Sequence, residues 1–111
     1  MTTVEEMIKE KGADKAPRIT PASIEAEIAS EYYCNGEQVA SVTPADPALR
    51  LLTLCILVLK NGFTIVGKSA CASPENYNRE VGERVAREDA VRQIWPLEGY
   101  ALRKQLAASG L

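Results

Sequence analysis

Residues 52–78 read LTLCILVLKNGFTIVGKSACASPENYN, two apolar arms around Asn61-Gly62 that stop at Ser73-Pro74. Asn-Gly between β-rich arms is the strongest short-range hairpin signal, because both turn residues tolerate positive φ. The reading pairs residues 51–60 with residues 63–72 in antiparallel fashion. A two-residue loop sets Lys60 against Phe63, Val58 against Ile65, Ile56 against Gly67 and Leu54 against Ser69. The other face carries Leu59, Leu57 and Cys55 against Thr64, Val66 and Lys68, and it too is largely apolar. An antiparallel sheet with one wet side alternates more cleanly, so both faces are expected to be covered.

A rival reading starts from Asp46-Pro47, which could cap and open a Leu-rich helix through Lys60 with Gly62 as its stop. Short apolar runs do not separate helix from strand by period alone. The Ile, Val and Thr content puts the hairpin ahead. The mostly α alternative, with residues 47–60 helical, stays open.

Downstream, Ser73 suits an N-cap, Pro74 the first helical position, and Glu75 the positive end of the helix dipole. A helix is expected from Pro74 to about Ile94, with Tyr77, Val81, Val85, Ala86, Ala90 and Ile94 as its inward stripe. Trp95-Pro96 should break or kink it, since the residue before proline avoids the α region. A second helix then runs from Pro96 to about Ala108, with Trp95 and Tyr100 as core anchors between the two. Upstream, Thr20 caps and Pro21 opens a helix with Ile24, Ile28 and Tyr32 on one stripe, ending near residues 31–33. Residues 32–50 read as a connection that can hold a short strand or one helical turn.

The expected fold is α+β: a hairpin-centred antiparallel sheet with an N-terminal helix and two C-terminal helices, completed by oligomerisation. A lone hairpin is marginal, so its second face should meet another subunit. Residues 1–18 read as a flexible, partly helical N-terminal arm, and residues 19–111 as a single domain. A chain of 111 residues buries roughly two thirds of its unfolded surface, enough for one modest core.

Composition excludes several function classes. The formal net charge of -2 argues against polymeric nucleic acid, which needs a clearly basic face. No apolar run reaches the roughly eighteen residues of a membrane helix, and the start MTTVEEMIKEKGADK lacks a signal-peptide pattern, so a cytoplasmic protein is expected. Three cysteines cannot all pair in one chain, which fits a reducing compartment. The absence of histidine removes Ser-His-Asp and Cys-His catalysis and the commonest borderline-metal ligand. Phosphate-loop and dinucleotide fingerprints are missing as well. No cofactor, metal or catalytic residue is expected, and a phosphodiesterase or glycohydrolase is the weakest reading.

The residues left to carry function are those of binding. Residues 72–76 place a hydroxyl and an amide, Ser73 and Asn76, at a helix start, a ready site for an anion or a ribose, with Lys68 as a nearby cation. Ordinary capping explains the same residues. Arg84 and Arg87 would lie on one side of the helix and could clamp phosphate. The pairs Glu80 to Arg84, Glu83 to Arg87 and Glu88 to Arg92 give them a structural role instead. Phe63, directly after a tight turn, is expected to be exposed unless a ligand or subunit covers it.

The run LTLCILVLKNGFTIVGKSACASPENYNREVGERVAREDAVRQIWPLEGYALRKQL, with ITPASIEAEIASEYY upstream, closely resembles a family of small tailed-phage and prophage proteins. The strings NGF, VGxSACxSPENY, AREDA and IWPLEGY carry the resemblance. That family looks like the one containing phage anti-defence sponges, which sequester the cyclic oligonucleotide messengers of CBASS immunity. Some members also hold the cyclic ADP-ribose isomers of Thoeris. The resemblance implies binding without cleavage, in a homo-oligomer, dimeric or higher up to a hexamer, with nucleotide pockets between protomers. It implies that the hairpin's second face is an assembly surface. By motif position, Phe63 would stack a base or ribose, Ser73 and Asn76 would bond the ligand, and Arg84 and Arg87 would neutralise phosphates. Where related members carry Asn this chain has Ser73, whose shorter reach bears on messenger choice. The competing reading from another class is a small phage adaptor acting through protein-protein contacts.

Overall fold

The computed structural model describes residues 2–40 and 45–111. The elements run α1 (Val4–Glu10), α2 (Pro21–Ala26), β1 (Ile28–Asn35), α3 (Gly36–Val39), a 3₁₀ turn (Pro47–Leu51), β2 (Leu52–Leu59), β3 (Thr64–Ala70), a 3₁₀ turn (Pro74–Asn76) and α4 (Arg79–Ala108). One antiparallel sheet in the order β1-β2-β3 lies against α4, so the fold is α+β. The rival helix over residues 47–60 is reduced to its first turn. Pro47 opens a 3₁₀ turn capped by Asp46, and the β-branched run from Leu52 onward enters the sheet.

The hairpin is present, but its register is one residue off the expected one. Leu57 pairs with Ile65, Cys55 with Gly67 and Thr53 with Ser69. The loop has three residues, Lys60, Asn61 and Gly62. The Gly62 N–H donates to the Leu59 carbonyl at 2.8 Å and the Leu59 N–H to the Phe63 carbonyl at 2.8 Å. Of the three loop residues only Gly62 takes positive φ, at 87°. A two-residue turn of the expected type needs positive φ at both positions; a type I turn closed by a glycine bulge needs it once. The Lys60 N–H is engaged by the Glu27 carbonyl at 2.9 Å, which ties the loop to the start of β1.

The slip sorts the side chains by face. Thr53, Cys55, Leu57 and Leu59 are buried under α4 together with Ile65 and Gly67, while Leu52, Leu54, Ile56 and Val58 point the other way. On that open face Ile56 sits between Tyr32 and Val66, which are 56% and 53% exposed.

Where helix was expected over residues 27–33, the chain forms β1. Tyr32 and Tyr33 lie opposite Ile56 and Cys55 in the ladder, and cross-strand packing outweighs the four-residue stripe. α2 stops at Ala26 with a Thr20–Ser23 capping box at its start. The middle connection supplies β1, α3 and the Pro47–Leu51 turn; its residues 41–44 lie outside the described residues.

α4 also departs from expectation at both ends. Its cap is Asn78, whose side chain accepts from the Val81 N–H, and Ser73 leads only the Pro74–Asn76 turn, with no side-chain cap bond. Pro96 lies within one continuous 30-residue helix rather than between two. The buried stripe is Gly82, Ala86, Ala90 and Ile94, whereas Val81 and Val85 are exposed. Small residues are required there because the helix backbone rests on β3: a Cβ on Gly67 would lie 2.2 Å from the Ala86 carbonyl oxygen. Trp95 packs against the core, but Tyr100 is 72% exposed, because the helix has run past the sheet by then and no second helix covers it.

Candidate functional site

The described residues hold no cluster of metal-ligating side chains, and no helix of the structure is long and apolar enough to cross a membrane. Concave surface gathers at the N-terminal end of α4, where three recesses share Tyr77. One, of about 170 Å³, is lined by Asn35, Gln38, Thr53, Tyr77, Arg79 and Glu83 among others. A second, of about 390 Å³, opens between Arg50, Glu37 and Pro74, and a third, of about 140 Å³, lies beside Asn76, Asn78 and Cys71.

Asn35 organises this end. It closes β1 and caps α3. Its Oδ1 accepts from the Glu37 N–H at 2.9 Å, and its N–H donates to Gln38 Oε1 at 2.7 Å. Its Nδ2 donates to the Arg50 carbonyl at 2.8 Å and to the Tyr77 hydroxyl at 3.3 Å. Three segments distant in sequence are thereby held in one wall. The sequence reading missed Asn35 and Gln38, and it placed Tyr77 on the inward stripe of the following helix. The string NGEQ at residues 35–38 is a capping-box pattern that would have placed the first two.

The residues singled out from sequence fall into separate places. Ser73 is half-buried, and its carbonyl accepts from Cys71 Sγ at 3.1 Å; Asn76 is exposed beside the third recess. Phe63 is 54% exposed at the opposite end of β3, on the hairpin tip. Lys68 lies on the open sheet face by strand alternation, and its backbone N–H donates to Asp89 Oδ2 at 3.0 Å. Arg84 and Arg87 share a groove of about 490 Å³ with Glu25, Glu88, Val91 and Arg92. The chain therefore brings Ser73 near Asn76, and Arg84 near Arg87, but does not join the two groups to Phe63.

The arginine pairing also differs from the expected helix ladder. Arg87 reaches off α4 to grip Glu25 with two bonds of 2.7 and 2.9 Å and Glu31 with one of 3.0 Å. Arg84 instead pairs with Glu88, Arg79 with Glu83 and Arg92 with Asp89. A half-buried guanidinium gains more from a bidentate carboxylate with a second carboxylate beside it than from a single contact one turn away, so Arg87 is drawn to α2 and β1. The Glu25 carboxylate and then Glu31 hold Arg87 firmly protonated, and burial with Glu31 pushes the Tyr33 phenol up. Arg84, tied only to exposed Glu88, is the member of the pair with slack to meet a ligand.

These contacts predict an acid limit. The Arg87 hydrogen bonds hold the Glu25 carboxyl below its ordinary 4.5, and the Lys68 N–H holds Asp89 below its ordinary 3.8. A depressed carboxyl contributes stability that is complete above its unfolded value and is lost as pH falls through its folded one. Urea midpoints should be nearly flat from neutral pH to the mid-4 range and fall below it. Arg87→Gln should remove the Glu25 share of that fall. A midpoint that rises on acidification would contradict the assignment.

Residues 19–106 match the family model described as Phage protein (N4 Gp49/phage Sf6 gene 66) family. No curated protein and no solved structure matches the chain.

Proposed function

The chain belongs to that phage protein family, and from this premise we propose that it binds and sequesters nucleotide messengers of bacterial immunity without cleaving them. The messenger classes are those named by the sequence resemblance, cyclic oligonucleotides and cyclic ADP-ribose isomers. The observation that carries the reading is the convergence of three recesses on Tyr77, next to the half-buried Ser73 and the exposed Asn76. A sponge needs depth and hydrogen-bond donors rather than an acid-base pair, because it acts by lowering the free messenger concentration through tight stoichiometric binding.

Homo-oligomerisation accounts for the separation of the site residues. Phe63 sits at the far end of β3 from Asn76 and Arg84 lines a different groove, yet a neighbouring copy could bring one protomer's tip and groove to another's recesses. The uncovered apolar face of the sheet is the surface that such assembly would bury. The same face also suits the adaptor reading, in which it docks on a host or phage protein.

Calorimetric titration with each messenger, followed by heat denaturation and analysis of the released nucleotide, separates these readings. Binding with intact ligand recovered supports sequestration, and altered ligand means catalysis. No binding by any messenger leaves the adaptor reading. Phe63→Ala, at an exposed position, is expected to weaken a bound messenger by about 1–3 kcal/mol with no change in fold. Unchanged affinity would remove Phe63 from the site.

A further inference from the structure

The 170 Å³ recess has a composition that its structural role does not use up. Its wall includes Thr53, 3% exposed, whose Oγ1 is the enclosed side-chain polar atom without a hydrogen-bond partner among the described residues. The Thr53 hydroxyl lies where a Cβ on Gly82 would come within 2.7 Å, so the absence of a side chain at Gly82 leaves room for it against α4. Its Oγ1 is closed off from the recess as well as from solvent, so Thr53 shapes the wall and leaves the hydrogen bonding to its neighbours.

Around it stand groups with capacity to spare. The Tyr77 oxygen accepts from Asn35, which leaves its own hydrogen to donate. Gln38 uses Oε1 on the Asn35 N–H, and its Nε2 has no partner among the described residues. Glu83 gives Oε2 to Arg79 at 3.1 Å, while Oε1 remains uncommitted. The recess therefore offers two donor groups, the Gln38 amide and the Tyr77 hydroxyl, one free carboxylate oxygen, and a guanidinium at its rim. A phosphate alone would be repelled by Glu83, and an apolar ring would leave the half-buried Tyr77 hydroxyl and Glu83 Oε1 unpaired. A sugar with neighbouring hydroxyls satisfies the whole set, since each hydroxyl both donates to the carboxylate and accepts from the amide or phenol. The size agrees: a cavity of about 150 Å³ accommodates a benzene ring, and a five-membered sugar is of similar bulk.

We propose that this recess is a subsite for the cis-diol of a ribose, with Glu83 Oε1 accepting from the diol and Gln38 and Tyr77 completing its hydrogen bonds. Arg79 at the rim meets an attached phosphate. The natural ligand rests on the nucleotide-binding reading above, but the subsite can be tested with simple sugar phosphates, so the two can fail separately.

The test is an amide-detected NMR titration of the full chain with ribose 5-phosphate and 2-deoxyribose 5-phosphate. Saturable shifts at Asn35, Gln38, Thr53 and Tyr77 are expected with the ribose compound, and binding of the deoxy compound should be weaker by about tenfold, the value of one charge-assisted hydrogen bond. Glu83→Gln, which removes the accepting carboxylate and the Arg79 ion pair, should erase that difference. Tyr77→Phe provides a second variant that keeps the ring. Equal shifts from both sugars, shifts confined to Arg79, or none at these residues would overturn the subsite. Messenger binding that survives such a result would leave the sponge reading standing with its ligand elsewhere.

Discussion

Gly67→Ala is expected to destabilise the chain by about 3 kcal/mol or more, while Gly99→Ala stabilises it by about 0.5–1 kcal/mol. The substitution is the same, and its sign is set by what the new methyl meets. At Gly67 a Cβ would lie 2.2 Å from the Ala86 carbonyl oxygen, 2.5 Å from the Ala90 nitrogen and 2.7 Å from the Ala90 Cβ. Two of these are backbone atoms of a long helix, so neither can turn aside as a flexible side chain would. Relief requires α4 to lift from β3, which would loosen Leu57, Ile65 and Ile94 in the same core. At Gly99, within the exposed stretch of α4, nothing lies within 4 Å, and the alanine only removes conformational freedom from the unfolded chain. Urea unfolding of the two variants beside the parent chain checks both signs. A neutral Gly67→Ala would mean that α4 does not sit on β3 at this distance.

This contact explains what the sequence could and could not disclose. The hairpin was legible because Asn61-Gly62 and the β-branched arms are local signals. Its register was not, because the choice between a two-residue and a three-residue loop depends on whether Asn61 takes positive φ, and the Glu27 carbonyl that holds Lys60 comes from another segment. The buried stripe of α4 was read correctly at Ala86, Ala90 and Ile94 and misplaced only in its first turns. Hydrophobicity favours Val81 and Val85, whereas close approach to the sheet selects Gly82 and Ala86. Residues 27–33 read as helix because a four-residue stripe and a strand both satisfy that pattern, and only pairing with β2 decides between them. Arg87 shows the same limit at the site: Glu83 lies at the right spacing in the chain, yet Glu25 and Glu31 hold the side chain. Asn35, Gln38 and Tyr77 meet only once β1, α3 and the turn before α4 have packed together.

Val66→Lys carries the largest expected effect on assembly. Val66 is 53% exposed on the open sheet face, with Ile56 beside it in the ladder and Tyr32 beyond, so a lysine there costs the isolated protomer little. If that face is where copies meet, each protomer of a symmetric pair would bring an unpaired ammonium into the seam. The penalty is several kcal/mol per charge, enough to convert a micromolar or tighter assembly into monomer. The protomer's radius of gyration is 18.0 Å, where a compact chain of this length gives about 13 Å, and the far part of α4 leaves Leu97 and Tyr100 exposed. The expected result in multi-angle light scattering is an oligomer for the parent chain and a monomer for Val66→Lys, with unchanged far-ultraviolet dichroism. A parent chain that is monomeric at micromolar concentration, or a variant that keeps the parent mass, would show that the sheet's open face is not the seam. Loss of messenger binding together with loss of the oligomer would place the pocket between protomers, whereas binding that persists in the monomer would place it within one, at Tyr77.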